Sequence, residues 1–310
     1  MTYEAFTRNG LILSVAIRPF VADRRIRRDL EAGTLLRIRR GVLVEAAQWA
    51  KLPPRGQHIY KMRAVAALAK QPVVFCAESA AAAWRMPIGG DWPDDVAVLE
   101  PWRGGGQSNP GVRKISAGAD TARTVTIRGL EVTDLARTTL DVARSRSFTD
   151  AIGSVDWAMW RKNTSAITAA DLITDLQRLS PRAGYVHLQK LIEFATPLSD
   201  SFYESAARAA IHLLGFEAPE LQVRLSDSKG EMLPDFLWRS VNVLAEFDGK
   251  EKYSREEYTK GDPTEVLWQE KRREDRLRAM NFTVVRIVTA DVINPAKLER
   301  LLSDAGVPRR

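Results

Sequence analysis

One cysteine and three histidines in 310 residues leave little room for two common kinds of site chemistry. Cys76 has no second thiol to pair with, so no internal disulfide can form. His58, His187 and His212 are scattered and show no zinc-ligand spacing. Long apolar runs are also missing: none approaches the roughly 20 residues that a membrane-spanning helix needs. The first residues lack the basic start, apolar stretch and small-residue cleavage site of a secretory leader. The expectation is a cytoplasmic protein with no membrane partner. Hydrophobic residues at 45% and charged residues at 27% exclude a disordered chain. At roughly 100 to 200 residues per domain, the length predicts two to three domains.

What the chain does have is positive charge. The net charge of +7 and an isoelectric point near 9.6 favour a polyanionic partner, with DNA the first candidate. The excess gathers early, at Arg24, Arg25, Arg27, Arg28, Arg37, Arg39 and Arg40. The pattern there predicts a helix over 25–32 stopped by Gly33, then strands at 35–38 and 42–44. A helix followed by a small hairpin is the end of a winged helix. The apolar segment 11–20 predicts an earlier helix, interrupted by Pro19. Arg25, Arg28, Arg37, Arg39 and Arg40 are the candidate phosphate contacts, and a solvated amphipathic helix beside a strand is the competing explanation.

From about Tyr60 to Pro197 the sequence alternates helices (61–70, 78–84, 135–144, 149–160, 168–179, 185–194) with short strands such as 96–99 and 124–127. Thr133-Asp134 reads as a helix N-cap. Gly104-Gly105-Gly106 lacks the following Lys-Ser or Lys-Thr of a phosphate cradle and reads as a turn. Beyond Ser201 the order becomes helix (202–214), strands (221–225, 235–238, 241–248), helix (264–281), strand (284–288) and a last helix (295–304).

This last region carries the candidate site. Successive side chains on a strand face opposite sides, so Val243, Ala245 and Phe247 share one face and Leu244, Glu246, Asp248 and Lys250 the other. Two carboxylates on an otherwise apolar strand repel each other unless a cation lies between them. With Asp235 on the neighbouring strand, the ligands are all oxygen, which favours Mg²⁺ or Mn²⁺. Either Lys250 or Lys252 could orient a water or balance charge on a phosphate. The competing structural explanation makes Asp235 a strand-edge turn residue and pairs Glu246 with Lys250 across a solvated face. On the 264–281 helix, Glu270, Lys271, Glu274 and Arg278 have ion-pair spacing, Lys271, Arg272 and Arg276 could meet phosphate, and Trp268, like Trp238, is expected in the core.

In this order and spacing, Ser201-Phe202-Tyr203-Glu204-Ser205, Pro234-Asp235-Phe236, Glu246-Phe247-Asp248-Gly249-Lys250, Trp268-Gln269-Glu270-Lys271-Arg272-Arg273-Glu274-Asp275 and Val284-Val285-Arg286-Ile287 resemble the PD-(D/E)XK nuclease superfamily. The similarity is greatest to its branch that looks like very-short-patch-repair endonucleases. The resemblance implies an αβββαβ restriction-endonuclease-like domain over 199–310. In it Asp235, Glu246 and Asp248 are metal ligands, Lys250 or Lys252 is the catalytic lysine, and Glu204 is an additional acid. The signature can be laid down as Asp248-Gly249-Lys250 or with Glu246 as the main ligand. Upstream, Leu30-Glu31-Ala32-Gly33-Thr34-Leu35-Leu36-Arg37-Ile38-Arg39-Arg40-Gly41-Val42-Leu43-Val44, Glu78-Ser79-Ala80-Ala81-Ala82-Ala83-Trp84-Arg85-Met86-Pro87 and the segment from Gly129 to Asp141 resemble AbiEi-like antitoxins of type IV toxin-antitoxin systems. That similarity implies a winged-helix-like DNA-binding domain over 1–58, a mixed α+β region over 59–198, and a toxin partner or other product of the adjacent operon. The overall expectation is an α/β protein, with an endonuclease or a catalytically silent antitoxin and repressor as the two functions.

Overall fold

The computed structural model describes residues 3–100, 110–116, 118–179, 184–248 and 263–310, a mixed α/β protein with several sheets. Two compact units emerge, Met1–Ser145 with Ile167–Ile192, and Arg146–Ala166 with Glu193–Arg310.

The first unit begins with β1 (Thr7–Arg8), β2 (Leu11–Leu13), α1 (Ser14–Ile17), α2 (Asp23–Glu31), β3 (Leu35–Arg39) and β4 (Val42–Glu45). The strands form a sheet in the order β1-β2-β4-β3. Residues 11–20 are therefore not one helix. Ile12 and Leu13 pair with β4 and Leu11 with β1, Leu11 and Ile12 are buried, and the short α1 ends before Pro19, which cannot continue it. Gly33 stops α2 with φ +69°, a left-handed conformation that glycine adopts without steric penalty.

Next come α3 (Ala46–Ala50), α4 (Pro54–Leu68), β5 (Val74–Phe75), α5 (Ala77–Trp84), β6 (Val96–Leu99), β7 (Val112–Ile115), β8 (Thr124–Ile127), β9 (Leu130–Thr133) and α6 (Leu135–Arg144). They build a mixed five-stranded sheet ordered β7-β6-β5-β9-β8. Asp134 caps α6 by accepting the Arg137 N–H at 2.9 Å, as Thr133-Asp134 predicted. His58 and Ser79 are fully buried and joined at 2.9 Å, a satisfied structural pair. Gly104 to Gly106 lie outside the described residues.

The chain continues through α7 (Phe148–Met159), which belongs to the second unit, then α8 (Ala169–Arg178) and α9 (Tyr185–Phe194). The second unit resumes with α10 (Phe202–Leu213), β10 (Glu220–Leu221), β11 (Leu225–Asp227), β12 (Gly230–Met232), β13 (Phe236–Trp238), β14 (Val243–Asp248), α11 (Pro263–Ala279), β15 (Thr283–Val288), α12 (Thr289–Ile293) and α13 (Pro295–Asp304). Where one strand was expected over 221–225, the structure has β10 and then the separate hairpin β11–β12. The main sheet runs β10-β13-β14-β15, antiparallel except for the parallel pair β14 and β15.

Both faces of this sheet are covered. Val243, Ala245 and Phe247 pack with Phe236, Trp238, Val285 and Ile287 against α10, α12 and α13. On the opposite face Leu237 and Leu244 meet Leu225 and Met232 of the hairpin and Leu277 of α11. The alternation read from the sequence thus sets Glu246 and Asp248 on the face that α11 covers. Within this unit α7 lies tightly on α10: a Cβ built on Gly153 would come 2.3 Å from Phe202 Cδ2. Gly→Ala inside a helix ordinarily stabilises, yet here overpacking costs about 1–3 kcal/mol. Gly153→Ala is therefore expected to lower the thermal midpoint, as measured by circular dichroism.

Candidate functional site

Asp235 sits immediately before β13. Phe236 pairs with Ala245, so continuing the antiparallel register by one step brings Asp235 opposite Glu246. The Asp235 carboxylate is half-buried and accepts the Phe247 backbone N–H through Oδ2 at 2.8 Å. It thereby extends the ladder past the last backbone pair, and its position is fixed by the sheet. Asp248 lies two residues beyond Glu246 on the same face of β14.

Arginines meet this acidic edge from two elements. Arg273 of α11 places Nη2 2.8 Å from Glu246 Oε1, and the same nitrogen donates to the Leu233 carbonyl at 2.7 Å. On β15, Arg286 is the parallel neighbour of Glu246. Its Nη1 lies 3.8 Å from Asp248, while Nε and Nη2 donate to Glu274 of α11. Glu274 also pairs with Arg278, the helix-surface ion pair that the i, i+4 spacing predicted. Further along α11, Arg276 grips Asp227 with two nitrogens and donates to the Gly230 carbonyl, which fastens the β11–β12 hairpin to the helix. Those hydrogen bonds hold the Asp227 carboxyl down to about 2. Among the described residues, no three His, Cys, Asp or Glu side chains form a ready-made metal cluster.

The other predicted site residues fall elsewhere or beyond view. Glu204 is buried near the start of α10, where it accepts the Asp200 N–H at 2.9 Å while its own N–H bonds the Ser201 hydroxyl. That is the arrangement of a helix cap. Its helix packs on the Phe247 face of the sheet, opposite the face of Glu246 and Asp248. Lys250 and Lys252 lie outside the described residues. Lys271 and Arg272 are exposed on α11. Trp238 is buried in the core as expected, but Trp268 is 57% exposed, with the Lys271 ammonium 5.7 Å from its ring centroid. The reason is its place on α11: Leu277 of this helix is what meets the sheet, while Trp268 faces away.

In the first unit, Arg24, Arg25, Arg27 and Arg28 line a shallow depression on α2. Arg25 and Arg28 both approach Asp29, and Arg25 also lies over the Tyr3 ring. Arg37 and Arg40 on the β3–β4 hairpin are exposed, whereas Arg39 is half-buried and donates to the Pro110 carbonyl at 3.2 Å.

Sequence reasoning missed the roles of Arg273 and Arg286. A signal existed for Arg286, a single charge on the apolar strand Val284-Val285-Arg286-Ile287. Arg273 had none, being one cation in the run Lys271-Arg272-Arg273.

No helix among the described residues is long and apolar enough to cross a membrane. No family model matches the chain. Two proteins of Mycobacterium tuberculosis described as uncharacterized, one from strain CDC 1551 / Oshkosh and one from strain ATCC 25618 / H37Rv, are each 28% identical to it over 172 residues. The matched region is 55% of this chain, which spans 59% of the length of those relatives.

Proposed function

We propose that the second unit is a divalent-metal-dependent phosphodiesterase that cuts or nicks DNA, and that the first unit supplies a basic, winged-helix-like surface for the same polymer. The observation that carries this reading is the position of Asp235, one step beyond the Phe236–Ala245 pair towards Glu246 and tied to β14 through the Phe247 N–H, with Asp248 on the same face of β14 as Glu246. The order helix, three sheet strands, helix, strand, with the β11–β12 hairpin inserted, supports the resemblance to the PD-(D/E)XK superfamily. A cytoplasmic location goes with it.

The donor set fits a hard cation: every candidate ligand is a carboxylate oxygen, and the Phe247 N–H fixes Asp235 in place. Asp235 with Glu246 or Asp248 would hold Mg²⁺ or Mn²⁺. Once bound, the cation would polarise a phosphoryl oxygen and acidify a water. Lys250 or Lys252 would orient that water, and Lys271 and Arg272 would hold the backbone of the polymer. The Glu204 carboxylate would act through the cap that positions α10, not through the reacting atoms.

The test is nicking of supercoiled plasmid with Mg²⁺ or Mn²⁺. Wild type is expected to nick, and Asp235→Ala and Asp235→Asn to lose the activity. Because Asp235→Asn keeps an acceptor for the Phe247 N–H, its loss would report on charge and not on the strand edge. Equal nicking by all three would remove the assigned site.

The arginine partners of Glu246 and Asp248 favour a second reading. In it the protein is an AbiEi-like antitoxin or repressor that keeps the nuclease fold without turnover and binds DNA or a toxin from its own operon. Gel shifts with promoter DNA and no divalent heat in calorimetry would favour it over the enzyme.

A further inference from the structure

We propose that Arg273 is a resident counter-ion of the acidic edge, one that competes with the incoming divalent cation for Glu246 and so sets the metal concentration at which the site fills. This rests on the nuclease reading above. The Glu246 side chain is 13% exposed and sits at ion-pair distance from a guanidinium, so its charge is already compensated. The grip is partial. Among the described residues, Arg273 reaches Glu246 and the Leu233 carbonyl through the single nitrogen Nη2, and its Nε is buried with no hydrogen-bond partner. Arg276, three residues further along α11, engages Asp227 through two nitrogens in the manner of a permanent tie.

Leu233 lies two residues before Asp235, so the same guanidinium bridges the segment carrying one acid and the strand carrying the other. Its positive charge thereby offsets part of the repulsion between the carboxylates on these two adjacent strands. A divalent cation and a guanidinium cannot both take Glu246 Oε1, and at this separation they repel each other. Arg273 is 41% exposed, so its head can move to solvent when displaced while its stem stays on the helix.

Calorimetric titration of Mn²⁺ into the full chain, without nucleic acid, separates the outcomes. Arg273→Gln is expected to bind Mn²⁺ about tenfold more tightly than wild type, and Arg273→Lys to resemble wild type, because only the first removes the competing charge. The Mn²⁺ concentration for half-maximal nicking should fall by the same factor. Thermal melts of each variant exclude misfolding as the cause of a change. Unchanged or weaker Mn²⁺ affinity in Arg273→Gln, with a wild type that binds and nicks, overturns this proposal alone. No Mn²⁺ binding and no nicking in wild type or either variant overturns the nuclease reading, and the counter-ion with it.

Discussion

Glu246→Gln is expected to reduce Mn²⁺-dependent plasmid nicking by about 10³-fold while leaving the fold intact. The substitution keeps the size and one carbonyl oxygen, so β14 retains its shape between β13 and β15. What is lost is a full negative charge beside Asp235. Two changes then oppose metal binding: one anionic ligand disappears, and Arg273 becomes an uncompensated positive charge at the same edge. A metal-assisted reaction draws several kcal/mol of charge stabilisation from its cation, and each 1.36 kcal/mol is a factor of ten in rate. Arg273 is partly solvated, so freeing it should cost little stability. Nicking rates paired with circular dichroism melts check both halves. A variant that melts normally and nicks at the wild-type rate would place the chemistry elsewhere.

Arg208→Leu is expected to have the largest effect on stability. Arg208 of α10 reaches Asp156 of α7 at 3.0 Å, with side chains only 10% and 1% exposed. Its Nη1 donates to the Phe194 carbonyl, and its guanidinium lies 3.9 Å from the Phe194 ring centroid. Asp156 also accepts the Thr196 N–H, so one buried pair fastens α7, α10 and the chain between residues 194 and 196. Removing one partner of such a pair costs about 3–5 kcal/mol, because the other charge stays buried without compensation. For a unit of this size that is a drop in thermal midpoint of about 10 °C.

The loss should depend on pH with a definite sign. Burial pushes the Asp156 carboxyl above its ordinary value, against the pull of Arg208 and the Thr196 N–H. Without Arg208 it rises further. A raised carboxyl favours the folded state at pH values below that of the unfolded chain, about 3.9, and loses that contribution as the pH rises through the folded value. The deficit of the variant should therefore narrow as the pH is lowered from 7 towards 4. A double replacement with Asp156→Leu should recover part of it, since both buried charges are then gone.

Local patterns were readable where a single face of one element decided the outcome. Strands 96–99 and 124–127, helices 135–144 and 295–304, and the cap at Asp134 follow from alternation, periodicity and a side chain that reaches its own helix. The facing of Glu246 and Asp248 followed from the period of two. Segment 11–20 was not readable, because a short apolar run serves a buried strand as well as a helix, and only pairing with β4 distinguishes them. The β11–β12 hairpin was missed because the expected strand stopped at 225 and the polar stretch beyond it offers no apolar run, whereas the turn through Ser228 and Lys229 pairs Asp227 with Gly230 and folds the chain back. Trp268 went astray for a related reason: size predicts burial, but the helix face decides it. The arginine partners of the acidic edge were hidden most deeply. Their pairing with Glu246 and Asp248 comes from the packing of α11 and β15 on one face of the sheet, and no local spacing encodes it.

The most direct measurement is anomalous scattering from crystals of the full chain soaked in Mn²⁺. A peak about 2.1 Å from carboxylate oxygens of Asp235 and of Glu246 or Asp248, with Arg273 turned away, is the predicted result. Saturating Mn²⁺ with no peak at that edge, and Glu246 still held by Arg273, would contradict it.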